Sequence, residues 1–127
     1  MKKQIISPEG GPPVVGPYSP AVAAGSLVFI SGQIPMDASG KLVAGDIVVQ
    51  TCQVIENLKT ILAAAGLTLS DVVKTTVFLA DMANFQEMNR VYGEFFPVNP
   101  PARTTIQAAA LPKGVGVEIE AVALKKG

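Results

Sequence analysis

Histidine and tryptophan are absent from this chain of 127 residues, and cysteine occurs once. Without histidine there is no imidazole base, no Ser-His-Asp triad and no histidine-ligated metal. A single cysteine excludes a disulfide framework within the chain and a cysteine-rich zinc site. Cys52 falls mid-helix on an apolar stripe and reads as a small buried hydrophobe rather than a nucleophile. Any catalysis must come from carboxylates, arginine or lysine, hydroxyls and backbone amides. Charge is also scarce. Charged residues make up 16% of the chain and apolar ones 49%, against about 25% charged in an average soluble protein. A surface this poor in charge is expected to be covered in part by other copies of the chain, in a closed cyclic homo-oligomer. Ten basic and ten acidic residues cancel. No basic run exceeds the Lys2-Lys3 and Lys125-Lys126 pairs, so a nucleic-acid partner is not expected. No apolar stretch has the length of a signal peptide or a membrane span, so no membrane association and a cytoplasmic location are expected.

The length fits a single domain over residues 1–127. Met1 to Ser7 reads as a short strand before a loop rich in glycine and proline. Tyr18 to Ala24 and Leu27 to Ser31 read as a hairpin around Gly25-Ser26. The second strand ends in Ser31-Gly32-Gln33, where glycine permits close backbone approach. Met36 to Lys41 reads as a turn-rich loop. Asp46 to Ala65 predicts a helix, with Val48, Cys52, Ile55, Leu58 and Leu62 as its apolar stripe and Gly66 as its stop. Val72 to Leu79 alternates as a strand. Asn84 and Glu87 have the spacing of a capping box opening a second helix, lined by Phe85, Met88, Tyr92 and Phe95 and closed by Pro97. The order is β-β-β-α-β-α-β-β. It predicts a two-layer α+β domain, with two helices on one face of a largely antiparallel or mixed sheet. A second subunit is expected on the other face.

The last third concentrates the chemistry. Pro97, Pro100 and Pro101 stiffen an extended connector, and Arg103 follows directly. Thr104 to Ala109 predicts a strand, Pro112-Lys113-Gly114 a turn, and Val117 to Leu124 the returning strand. Alternation puts Arg103, Thr105 and Gln107 on one face, and Glu118 and Glu120 on one face of theirs. If the two strands pair, a fixed cation and a carboxylate face one another across a small space suited to an anion.

The segments GPYSPAV, LVFISGQIP, VVKTTVFLADMANFQEMN, PPARTTI and VEIEAVAL resemble the Rid (YjgF-type) family of reactive-intermediate deaminases, in order and over nearly the whole chain. The resemblance implies a chorismate-mutase-like fold. It further implies a homotrimer whose sheets pack as a central barrel, with ligand sites in clefts between subunits. The implied activity is hydrolysis of 2-imino acids or their enamine tautomers (2-iminobutanoate, 2-iminopropanoate) to 2-oxo acids and ammonia, with no metal or organic cofactor. By the same resemblance Arg103 anchors the substrate carboxylate, Glu118 is the acid/base, and Tyr18 fixes ligand or water. Ser31, Gly32, Asn89 and Thr105 line the cleft, with backbone near Gly32 and Thr105 as polar support. Two departures stand out. Thr105 takes the place of a cysteine in many members, so a thiol-dependent role there is not expected, and the loop before Arg103 is shorter than in some relatives.

Each of these residues has a plainer role. Arg103 alone fits an interface ion pair, and Glu118 and Glu120 fit a solvated strand edge. Tyr18 fits an interface aromatic, Ser31-Gly32 a strand end, and Asn89 a polar helix residue. Other functions fit less well. A non-catalytic module binding a small carboxylate would also use Arg103. A chaperone-like protein would need exposed apolar surface. Ribonuclease chemistry has neither a histidine nor a basic groove to draw on. Chorismate mutase chemistry would need several cations where Arg103 alone is evident.

Overall fold

Strands β1 (Gln4–Ile6), β2 (Ala21–Ala24) and β3 (Leu27–Gln33) lead into helix α1 (Ile47–Ala64). β4 (Val72–Leu79), helix α2 (Phe85–Phe95), β5 (Ala102–Gln107) and β6 (Val117–Leu124) follow, in the order read from the sequence. The computed structural model describes residues 2–126; Met1, the first residue of the expected opening strand, lies outside the described residues. The strands make one six-stranded sheet in the order β1-β2-β3-β6-β4-β5. All neighbours are antiparallel except β4 and β5, which α2 connects as a parallel pair. Both helices cover the same face, so the fold is a two-layer α+β arrangement on a mixed sheet. Among the described residues no helix is long and apolar enough to cross a membrane.

Local chemistry explains the ends of α1. The Asp46 carboxylate accepts from Val49 N at 3.1 Å, satisfying one of the free donors of the first turn. At the other end Gly66, at φ 75, donates to Ala63 O at 3.0 Å, and Leu67 N donates to Leu62 O at 2.8 Å. This is the left-handed glycine stop, with its paired bonds capturing the last carbonyls. Two polar side chains then tie α1 to the sheet. Buried Asn57 donates to Ile34 O at 3.1 Å and Met36 O at 2.9 Å. Gln50 accepts from Gly116 N at 2.8 Å and donates to Gly45 O at 3.0 Å. These contacts fix the loop after β3 and the start of β6 relative to one helix.

The core lies between the helices and the sheet. Val54, Ile55, Leu58 and Leu62 of α1, and Met88 and Tyr92 of α2, pack on Val28, Val77, Leu79, Val117 and Ile119. Each fully buried aliphatic side chain contributes on the order of 1.5–3 kcal/mol of transfer free energy. The apolar stripe of α1 is rotated from the expected one. Thr51, Val54 and Ile61 are buried at its centre, while Val48 and Cys52 flank it half-buried.

Several local expectations are corrected. Asn84 makes no side-chain cap bond, because its backbone (φ −87, ψ 5) is already close to helical. A 3-10 turn over Met82–Asn84 feeds α2 directly, and Asp81 caps that turn through Ala83 N at 2.9 Å. β2 begins at Ala21 rather than Tyr18, after Pro20, which has no N–H to donate. β5 begins two residues early, so Arg103 lies within the strand.

The largest correction concerns β5 and β6, which do not pair. β4 lies between them, in register with Arg103 at Thr75 on one side and with Glu118 at Phe78 on the other. The cause is the crossover through α2, which lands β5 on the outer edge of β4, while β6 returns to fill the gap between β3 and β4.

Candidate active site

On β6 the inward residues Val117, Ile119, Ala121 and Ala123 are buried beneath the helices, which turns Glu118 and Glu120 onto the helix-free face. β3 approaches Glu118 through a register irregularity between Ile30 and Gln33, the stretch that holds Ser31 and Gly32. Gly32 lies directly against the Glu118 side chain: a Cβ added there would fall onto its carboxylate, 2.9 Å from Cδ and 3.1 Å from Cγ. Here the glycine is needed for space. Ser31 Oγ donates to Ser19 O at 2.6 Å and Ser31 N to Pro20 O at 3.0 Å. These bonds hold the 16–20 segment, and with it Tyr18, beside the strand end. Tyr18, Ser31, Gly32, Lys113, Glu118 and Glu120 thereby share an open cleft of about 530 Å³, walled on its apolar side by Val15, Ile34 and Pro112.

Burial pushes the Glu118 carboxyl above its ordinary pKa, and the neighbouring charge of Glu120 adds to the shift. Among the described residues no cation is paired with it. A carboxyl in that condition holds a proton more readily than a solvated one, as a general acid/base requires.

Arg103 belongs to a different cleft. It shares the helix-covered face with Thr75, its register partner, and its guanidinium lies under α2. Its Cζ is 4.7 Å from the centroid of the Tyr92 ring and 5.7 Å from that of Phe85. The Tyr92 hydroxyl is bonded to Thr75 Oγ1 at 2.6 Å, and its ring packs on Phe96 at 4.6 Å between centroids. Burial raises the Tyr92 phenol pKa, opposed by the Thr75 bond and the Arg103 charge. Asn89, Tyr92, Phe96, Pro100, Pro101 and Arg103 line a cleft of about 400 Å³. Arg103 makes no ion pair among the described residues, so it offers a cation backed by two aromatic rings. Thr105 Oγ1 is buried with no hydrogen-bond partner among the described residues. β5 is an edge strand, so alternate backbone groups of its outer side are left free by the sheet.

The seven candidate residues therefore divide into two sets. Tyr18, Ser31, Gly32 and Glu118 come together on one side of the sheet. Asn89, Arg103 and Thr105 belong to the other side. Arg103 and Glu118 do not face one another within a chain, because the strand pairing that would have brought them together is replaced by β4. The structure also adds residues. Glu120, which alone fits a solvated strand edge, and Lys113, held at φ 58, line the first cleft. Tyr92 lines the second while also serving the core, and its place in the apolar stripe of α2 concealed that second role.

Residues 9–125 match the family Ribonuc_L-PSP, described as Endoribonuclease L-PSP. The chain is 51% identical over 125 residues to a RutC family protein of Pyrococcus horikoshii, covering 98% of this chain and 99% of that one. It is 47% identical over 124 residues to human 2-iminobutanoate/2-iminopropanoate deaminase, covering 97% of this chain and 90% of that one. Among solved structures, E. coli TdcF with bound serine superposes with a TM-score of 0.91 at 42% identity, covering 97% of this chain and 99% of that one.

Proposed function

The chain belongs to the Rid (YjgF-type) family, matched as endoribonuclease L-PSP, and on that premise we propose that it hydrolyses small 2-imino acids and their enamine tautomers to 2-oxo acids and ammonia. 2-Iminobutanoate and 2-iminopropanoate are the substrates put forward, in keeping with the name of the human relative. The observation that carries the reading is the division of the site. A carboxyl with a raised pKa lies on one face of the sheet and an aromatic-backed guanidinium on the other, so each cleft holds half of what the reaction needs.

The proposed assembly is a homotrimer in which the helix-free faces pack as a central barrel and each Glu118 cleft meets the Arg103 cleft of a neighbouring subunit. Phe29 and Ile106, 45% and 44% exposed, support burial of that face. Arg103 takes the substrate carboxylate through two parallel bonds, each worth roughly 1.5–3 kcal/mol. Water held by Glu118 and Tyr18 attacks the carbon of the protonated imine, C=NH2+. The C–O bond forms as the C=N π pair moves to nitrogen, and Glu118 accepts the water's proton. Glu118 then returns that proton to nitrogen and the C–N bond breaks. Ammonia departs, and an oxygen lone pair closes the C=O as the remaining hydroxyl proton passes to Glu118. Ser31 and Asn89 line the joined cleft, and backbone groups near Gly32 and Thr105 support the developing charge on oxygen.

A second reading is a non-catalytic module that binds a small carboxylate. The solvent-open Arg103 cleft favours it, as does the serine bound to E. coli TdcF. The test is a coupled assay. Threonine dehydratase and threonine generate 2-iminobutanoate, semicarbazide traps the imine, and the protein or its Arg103→Ala variant is added. Faster 2-oxobutanoate release with less semicarbazone, lost in the folded variant, supports deamination. No effect of the folded wild-type protein would leave the binding module.

A further inference from the structure

Arg103 has a brace built from residues that neither the sequence reading nor the proposed chemistry assigned to the site. We propose that Tyr92, held by Thr75, is a positioning residue that sets the guanidinium of Arg103 for carboxylate binding, with Phe85 as a second ring against that guanidinium; this rests on Arg103 being the anchor in the proposed function. The geometry is a closed triangle. Thr75 and Arg103 are register partners across β4 and β5. Tyr92 descends from α2, bonds Thr75 Oγ1 at 2.6 Å, and sets its ring 4.7 Å from Arg103 Cζ. Phe96 packs on the same ring at 4.6 Å, and Phe85 supplies a second ring 5.7 Å from Cζ.

Each side of the triangle restricts a different freedom. The strand ladder fixes the Arg103 backbone, the hydroxyl bond fixes the rotation and tilt of the Tyr92 ring, and the ring holds the head of a side chain that otherwise has many rotamers. Thr75 is fully buried and Tyr92 is 4% exposed, so they act on a ligand mainly through Arg103. A small substrate has few atoms with which to organise a flexible arginine, so binding gains from a cation ordered beforehand. The brace also opposes withdrawal of the guanidinium toward a competing carboxylate, and none is paired with it among the described residues.

The carboxylate is held in both ground and transition states, so a loosened anchor raises KM and leaves kcat nearly untouched. Tyr92→Leu is expected to raise KM for the imine, and Kd for 2-oxobutanoate, on the order of tenfold. Tyr92→Phe keeps the ring and rescues most of that loss, at a lower Tm because the Thr75 hydroxyl is left unpaired. An NMR measurement reads the brace without turnover. The Arg103 side-chain resonances carry a ring-current shift in the wild type and in Tyr92→Phe, and lose most of it in Tyr92→Leu, where only the Phe85 contribution is left. If Tyr92→Leu does not fold, Phe85→Leu, at a half-buried position, is expected to raise KM and Kd severalfold and reduce the same shift. The proposal is overturned if folded Tyr92→Leu, or failing that Phe85→Leu, keeps the wild-type KM and Kd. It is equally overturned if the Arg103 shift is unchanged in the variant. A wild-type protein that binds 2-oxobutanoate but does not turn over the imine defeats the deaminase reading alone, and the Kd and NMR comparisons still decide the brace.

Discussion

Replacing Gly32 with alanine adds one methyl group at the point where β3 touches the proposed acid/base. The new Cβ would fall on the Glu118 carboxylate, 2.9 Å from its Cδ, and no other group lies among the nearest contacts. Gly32 is not among the glycines with positive φ, so alanine fits the backbone and gains roughly 0.4–1 kcal/mol by restricting the unfolded chain. The obstruction is the far end of a flexible side chain, which relieves it by changing rotamer at a cost of about 0.5–1.5 kcal/mol. These two effects nearly cancel, so Gly32→Ala is expected to fold with stability within about 1 kcal/mol of the wild type. The displaced carboxylate no longer meets its water or the departing amine. General acid–base assistance is worth about 10²–10⁴-fold, so kcat is expected to fall by at least about a hundredfold. KM should change little, because Arg103 lies in the other cleft. Thermal melts with the semicarbazide-coupled assay measure both quantities. A folded Gly32→Ala protein with wild-type kcat would refute the view that Glu118 acts from its observed position, and a collapse in Tm would refute the claim that only its side chain stands in the way.

Other perturbations test other links. Arg103→Lys loses the planar fork that binds a carboxylate twice, and KM measured in the coupled assay should rise by about 10- to 100-fold. The raised pKa of Glu118 means that the folded protein binds its proton more tightly than the unfolded chain, so this group's contribution to stability is favourable in acid and is lost as pH rises above 4.5, the ordinary value. Glu118→Gln should therefore raise Tm near pH 8 and show little difference near pH 4; equal effects at both would count against the assignment. Asn57→Ala strips the bonds from Ile34 O and Met36 O, and unfolding titrations should show a loss of about 1–3 kcal/mol. Phe29→Glu puts a charge on the helix-free face and should yield monomers in sedimentation, with turnover lost as the half-sites separate.

The elements most legible in the sequence were those whose signals are local. β4 and β6 have the bounds their alternation predicts, because one face of each lies under the helices; period two holds throughout β6 and from Thr75 to Leu79, and breaks at the start of β4, where a register shift buries Val72 and exposes Val73. Gly66 marked the end of α1 through its own backbone chemistry, and Asp46, read as the first helical residue, is its cap through its side chain. Pairing is different in kind. Thr104 to Ala109 followed by a turn and a second strand has the local appearance of a hairpin, and nothing in those residues says that β4, some thirty residues earlier, occupies the space between. The capping pattern at Asn84 misled for a related reason, since the preceding 3-10 turn supplied the helix start. Of the site, the residue types and their numbers came through the family resemblance, and their division into two clefts did not. Tyr92 was hidden in plain view, because a core position and a brace for arginine require the same ring at the same helical spacing.

The placement of Arg103 and Glu118 on opposite faces has a consequence for heredity as well as chemistry. In the proposed ring of three, every site would borrow one residue from each of two neighbours, so a defect in one and a defect in the other are not equivalent when they sit in different subunits. Mix a chain bearing Arg103→Ala with one bearing Glu118→Gln, each inert alone, and any ring that contains both kinds regains one intact junction. Random assembly from equal amounts then restores roughly a quarter of all sites. Two silent alleles of such a gene would complement each other in one cell, whereas a protein carrying its whole site within each chain would leave that cell without activity.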